Sequence, residues 1–232
     1  MEDDPMKRTF YTEAAYFIGL LLLAIGTAFM ERAAFGLSMI VAPAYVVYLK
    51  ISEYLPFFTF GMAEYAIQAV VLVILSLCCR RFRLRYLFSF VTAVVYGFLL
   101  DGSMALLALI SGDHMALRVV FYLGGMVICA FGVAMLFDTY IPPEAYELFS
   151  KELSSRYGWK ISRVKTVYDC ASCALAVGLS LLLFGQLEGV YWGTIFCALV
   201  NGWLIGRAAA LLNRCFSYRD GLPKLKRFFE KI

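Results

Sequence analysis

The sequence predicts an all-α polytopic membrane protein: about six transmembrane helices arranged as two inverted three-helix repeats, each with a short non-spanning helix. Three observations lead there. Of the 232 residues, 62% are hydrophobic and 16% charged, with a mean hydropathy of +0.77, whereas soluble domains are roughly 45–50% apolar and about 25% charged. Six windows carry the run of about 20 apolar residues that a bilayer crossing requires. A weak repeat, finally, relates the two halves of the chain.

The spanning windows lie near residues 12–31, 60–79, 86–107, 117–137, 165–185 and 190–211. The N-terminus has three acids before Lys7 and Arg8, and the first window is too long for a signal peptide and has no clear cleavage site. It reads as a retained first helix. Cys78, Cys79, Cys129, Cys170, Cys173, Cys197 and Cys215 sit in or at the ends of apolar windows and read as small hydrophobes. Cys170-Ala-Ser-Cys173 has redox or zinc spacing, but it lacks a second pair and a nearby histidine, since His114 is distant. No metal or cofactor is expected.

Basic residues set orientation. The clusters are Arg80-Arg81-Phe-Arg83-Leu-Arg85, the stretch 151–165 with Lys151, Arg156, Lys160, Arg163 and Lys165, and the tail from Arg214 to Lys231. Placing all three inside requires six crossings and cytoplasmic N- and C-termini. The apolar run Leu37–Leu49, interrupted by Pro43 and closed by Lys50, Glu53 and Pro56, then cannot span. Its length suits a re-entrant or interfacial helix on the outer side. The net charge of +4 is confined to loops and tail, a pattern of membrane orientation and not of nucleic-acid binding.

The repeat aligns Gly19…Ala24-Ile-Gly26-Thr-Ala28 with Gly125…Ala130-Phe-Gly132-Val-Ala134, Glu64 with Asp169, and Gly97 with Gly202. Residues 1–110 form the first repeat, 116–213 the second, inverted one, and 214–232 a cytoplasmic basic tail. A non-spanning stretch follows the leading helix of each half, at 37–58 and 142–160. The second alternates Tyr146, Leu148, Phe149 and Leu153 with charges and is expected as an amphipathic helix at the inner surface. The glycines at 19, 26, 125 and 132 are expected to let helices approach closely.

Gly19…Ala28, Phe35-Gly36-Leu-Ser38, Thr59-Phe-Gly61, Tyr96-Gly97-Phe-Leu-Leu-Asp101 and Gly125…Gly132 together resemble the YczE/YyaS/YitT-type family of bacterial membrane proteins. The resemblance covers most of the chain. It departs at Met39-Ile40, where a proline and an acid would be expected, and at Gly206-Arg207, opposite Asp101. It implies the architecture, with transport presumed and no defined activity.

Charged groups near the bilayer centre cost roughly 2.5–3.5 kcal/mol on insertion scales and usually face the bundle interior. The candidate substrate-binding residues are Glu64, Asp169, Gln68, Tyr65, Tyr168, Asp101 and Asn201. Gln68 shares a helix face with Glu64, and Tyr65 and Tyr168 flank the two acids, as suits cation–π contact with an organic cation. Tyr16 and Tyr96 also carry polar tips at bundle depth. The alternative for each acid is a structural pair with Arg207 or an interfacial lysine. Glu31 and Asp138 read as boundary residues. A small-solute carrier, open to proton coupling and favouring a cationic or polar organic substrate, explains these features together. The alternatives are a substrate-binding subunit of an energy-coupling-factor type importer and a non-transporting accessory or signalling protein. Beside the lipid bilayer and a small-molecule substrate, a homodimer or an importer's coupling subunit are the partners to consider. An enzyme is not expected: Gly-x-Ser-x-Gly, His-Glu-x-x-His and a phosphate loop are absent from the sequence.

Overall fold

The computed structural model describes residues 8–80, 82–110, 114–159 and 161–231; Arg81 and Lys160 of the basic clusters lie outside them. The order is β1 (Arg8–Tyr11), α1 (Thr12–Ala33), α2 (Ala42–Ser52), α3 (Phe60–Cys79), α4 (Leu84–Ala108), α5 (Met115–Phe137), α6 (Ala145–Tyr157), α7 (Ile161–Phe184), α8 (Trp192–Cys215), β2 (Phe216–Arg219) and α9 (Pro223–Lys231). Six of these helices are long and apolar enough to cross a membrane, and they coincide with the six windows of the sequence. Their outer faces carry Phe17, Leu77, Phe98, Leu182 and Leu199, each at least 65% exposed, as lipid contact demands of a chain that hides its polar groups inside.

At the centre α1 and α5 cross antiparallel through their glycines. A Cβ on Gly26 would stand 2.7 Å from the Gly125 carbonyl oxygen and 2.6 Å from Cys129 Sγ, and one on Gly132 would stand 2.7 Å from the Gly19 carbonyl oxygen. Lipid tails are as apolar as leucine, so helices associate in a bilayer by close packing, which small residues permit. The remaining helices are arranged reciprocally. As α4 packs on α1, α8 packs on α5; as α2 packs on α3 and α7, α6 packs on α7 and α3. The aligned pair Gly97 and Gly202 breaks the pattern: Gly97 packs on Gly61 of α3, while Gly202 has nothing beside it.

Neither α2 nor α6 is long enough to span, with 11 and 13 residues at about 1.5 Å each. Each follows the C-terminal end of one of the crossed helices, so the two enter the bundle from opposite faces. Their first turns lie deepest: Ala42, Ala44 and Val46 in α2 and Ala145, Tyr146, Glu147 and Leu148 in α6 are buried, whereas Tyr54 and Tyr157, at the far ends, are exposed. The expectation of an amphipathic α6 on the inner surface is therefore corrected. Its polar face turns toward α3 and α7 inside the bundle, because buried partners exist there for its acids. At the head of the α2 hairpin Gly36 adopts φ +105°, a left-handed value suited to glycine, and a Cβ there would strike Thr194.

The segment expected as a basic tail is ordered. β2 pairs in parallel with β1, Arg8 opposite Phe216 and Tyr11 opposite Arg219. Glu13 accepts hydrogen bonds from the Gly221 and Leu222 amides (3.0 and 2.8 Å) and from the Tyr140 hydroxyl, which satisfies free donors at the start of α9. Phe229 of α9 packs edge-on against Phe88 at 5.0 Å. Both ends of the six-helix body thus meet on one face.

Replacing Gly26 with Ala should destabilise the bundle by about 1–3 kcal/mol, as overpacking does, and lower the Tm in detergent. Gly178→Ala, at a glycine with open space beside it, is the control and should leave the Tm unchanged or raise it. Equal effects at the two sites would refute the crossing contact.

Candidate functional site

The site begins with the problem of bringing a loop into an apolar bundle, where every polar backbone group needs a partner. Pro142 and Pro143 have no amide hydrogens to satisfy, and their carbonyls accept from Thr92 (3.1 Å) and Ser89 (2.5 Å) of α4. The amide of Ala145, the first of α6, donates to Gln68 Oε1 of α3 at 3.0 Å. Gln68 Nε2 donates in turn to Glu144 Oε2 at 2.9 Å and, more weakly, to Glu64 Oε2 at 3.5 Å. The Tyr146 hydroxyl completes this side by donating to Glu64 Oε2 at 3.1 Å.

One turn along α6, Glu147 lies 3.7 Å from Lys165 Nζ of α7, and Lys165 lies 3.9 Å from Asp169 Oδ1, one turn further. These separations are ion pairs without hydrogen bonds. Glu64, Gln68, Glu144, Tyr146, Glu147, Lys165 and Asp169 are each 5% exposed or less. Among the described residues, Glu64 Oε1, Glu144 Oε1, Glu147 Oε2, Asp169 Oδ1 and Lys165 Nζ have no hydrogen-bond partner. Four carboxylates thus share this buried cluster with one ammonium, that of Lys165, which Glu147 and Asp169 approach. A buried ion without compensation costs several kcal/mol, so the cluster must hold protons or admit cations. The N-terminal end of α6 supplies partial positive charge to Glu144 and Glu147, which tempers that demand without removing it. Burial, and then the negative charges of Glu147 and Glu64, push the Glu144 carboxyl well above its ordinary value.

Beside the cluster is a small cavity of about 30 Å³ whose polar lining includes Thr27, Ser38, Tyr96, Glu144, Tyr146, Glu147 and Asn201. That is room for about two water molecules. It lies where the entries of α2 and α6 reach the crossed pair, and the Tyr96 hydroxyl is fixed by donation to Thr27 Oγ1 at 3.0 Å. The arrangement can hold protons or a very small cation, and a larger solute requires the helices to part.

Of the residues singled out in the sequence, the structure brings Glu64, Gln68 and Asp169 into one cluster and Asn201 onto the cavity wall. Asp169 meets a lysine, Lys165, and Arg207 instead lies exposed over Trp203 at 5.4 Å. Tyr168 packs against α6, its ring 5.0 Å from Phe149 and 6.3 Å from Tyr146. Tyr65 falls on another face of α3, half-buried and away from the cavity lining, because adjacent helical residues do not share a face. Asp101 lies apart from the cluster: its carboxylate accepts from Thr59 Oγ1 (2.7 Å) and the Gly61 amide (2.9 Å), tying α4 to the start of α3. Sequence reasoning missed Glu144, Tyr146, Glu147 and Lys165. The signal was a Pro-Pro-Glu entry at the place equivalent to the re-entrant run of the first half.

These features define a multi-pass membrane protein with an acid-rich centre built around a short helix that enters the bundle. The chain belongs to a family of unknown function, DUF6198, whose sequence model matches residues 10–209, nearly the whole six-helix body. No curated protein and no solved structure matched the chain.

Glu144 gives the site a pH dependence of definite sign. A carboxyl whose folded-state pKa is raised keeps its proton in the fold after the unfolded chain has lost it. Its stabilising effect is full below the ordinary value of 4.5 and is lost as pH rises toward the raised one. Thermal unfolding in detergent should therefore show Tm falling from pH 5 to pH 9, with a shallower slope in Glu144→Gln. Parallel slopes in the two proteins would remove Glu144 as the source.

Proposed function

We propose that this protein is a small-solute carrier, proton-coupled, whose central carboxylates alternate between Lys165 and a cationic or polar organic substrate. The observation that carries the reading is the cluster itself: four buried acids from α3, the entry to α6, α6 and α7, each with an oxygen lacking a hydrogen-bond partner, two of them beside one buried ammonium. Ionisable groups at such depth are costly and are kept mostly along ion or substrate pathways. Lys165 acts as a resident counter-ion. When a substrate cation or protons neutralise the acids, the lysine is released from them; when they leave, it returns.

The two halves are read as inverted repeats. The antiparallel α1–α5 crossing, the reciprocal packing of the other helices and the entry of α2 and α6 from opposite faces support this. In carriers of that architecture the site lies near the midplane, formed by discontinuous helices. The likeness of Gly19–Ala28 and Tyr96–Asp101 to the YczE/YyaS/YitT-type proteins supports the same arrangement. The basic clusters support assigning the face that carries β1, β2 and α9 to the cytoplasm, and the small size of the cavity supports reading this conformation as an occluded one.

Two measurements test the reading. Methylammonium, choline and putrescine should be screened for stabilisation of the purified protein, and radiolabelled methylammonium for uptake into proteoliposomes under an imposed pH gradient. Stabilisation or uptake should be seen in the wild type and fall at least tenfold in Glu64→Gln and in Asp169→Asn, with both variants still folded. Stabilisation without uptake would favour a binding subunit of a larger importer. A stability profile blind to every probe, or untouched by either substitution, would return the acids to a structural role.

A further inference from the structure

At the cytoplasm-assigned end of α3 and α4, two adjoining cavities share one residue, Tyr86. The first is polar, about 440 Å³, and lined by Cys79, Arg83, Tyr86, Glu152, Ser155 and Arg156. The second is an apolar groove of about 360 Å³ on the outer surface of the bundle, with Leu72, Val73, Leu77, Leu87 and Phe90 among its walls. Val73, Leu77 and Leu87 are more than half exposed, and Leu77 reaches 71%. A polar chamber at a helix end thus opens beside an apolar channel that runs along the helices toward the bilayer interior.

The polar chamber has spare donors. Arg83 Nη1 pairs with Glu152 at 3.0 Å, and Arg156 Nη1 donates to the Cys79 carbonyl at 2.6 Å. Each guanidinium carries five N–H donors in a fork suited to phosphate oxygens, so these bonds hold the forks in place without exhausting them. With Glu152 counted, the chamber keeps a net positive charge. Tyr86 is 1% exposed, and its hydroxyl has no well-formed hydrogen bond among the described residues, only a weak approach to Cys79. A thiol is a poor partner for a buried hydroxyl, and a phosphate oxygen would satisfy it better.

We propose that an anionic phospholipid occupies this seam, its phosphate held by Arg83, Arg156 and the Tyr86 hydroxyl and an acyl chain lying in the α3–α4 groove. Basic pockets between transmembrane helices at the cytoplasmic side are suited to anionic headgroups. The apolar groove distinguishes a lipid from a soluble phosphate compound, for which it would serve no purpose. The lipid would also bridge the α3–α4 hairpin to the C-terminal end of α6, whose other end carries Glu144 and Glu147.

The test is thermal unfolding of the purified full chain in detergent with added dioleoyl-phosphatidylglycerol, dioleoyl-phosphatidylcholine, or sodium phosphate. Phosphatidylglycerol should raise the Tm by at least 3 °C more than phosphatidylcholine. That difference should fall by at least half in Arg83→Gln/Arg156→Gln. Because each protein is its own reference, a lowered basal Tm in the variant does not blur the comparison. In Leu77→Trp, which narrows the groove and leaves the arginines in place, the gain from phosphatidylglycerol should shrink as well. Equal stabilisation by the two lipids, a preference unchanged in the double variant, or full reproduction of the effect by sodium phosphate would each overturn the proposal.

Discussion

A segment that enters an apolar bundle part-way and turns back must find partners for its backbone, since neither water nor a neighbouring strand is there to supply them. In this protein Gln68 meets that requirement for α6. One amide side chain accepts from the first N–H of the short helix and donates to the acid preceding it, while Ser89 and Thr92 take up the carbonyls of the two prolines. Everything polar at the centre follows from this docking. Glu144, Tyr146 and Glu147 are buried because the helix that carries them is pinned by its N-terminal end, and Lys165 and Asp169 face them from α7.

The same constraint is met by different means at the other re-entrant segment. There the Phe35 carbonyl accepts from the Gly193 amide of α8, and Arg118 of α5 donates to the carbonyls of Ala33 and Ala34. The surroundings of α2 are mostly apolar, those of α6 densely charged. The two short helices thus differ in chemistry although each follows one of the two helices of the glycine crossing, α1 and α5. The centre is asymmetric: it is acidic on the side of α6 and lined by Ser38, Ile40 and Val41 on the side of α2.

The sequence made the spanning helices readable because transfer into a bilayer depends on local composition, and that is averaged over each window without reference to the rest of the chain. The close approach of Gly26 to Gly125 was legible for a related reason, as small residues in a long apolar helix have few other uses. Glu64, Gln68 and Asp169 could be named as charged or polar groups at depth. Glu144, Glu147 and Lys165 could not, because an amphipathic helix shows the same pattern whether its polar face meets water or a buried cluster. Only the position of Gln68, 77 residues from Ala145, separates these cases. The pairing of β1 with β2 was hidden similarly: each strand has four residues, and its partner lies at the opposite end of the chain.

That pairing closes the bundle into a mechanical ring. With β1 joined to β2 and Glu13 holding the start of α9, the first and last spanning helices are fastened at one face and leave that face as a single body. At the other face the same two helices meet again, the Gly193 amide of α8 donating to the Phe35 carbonyl just past the end of α1. The first and last spanning helices are thus tied at both ends, and at one of them the tie is made by two four-residue strands set apart from the polar centre.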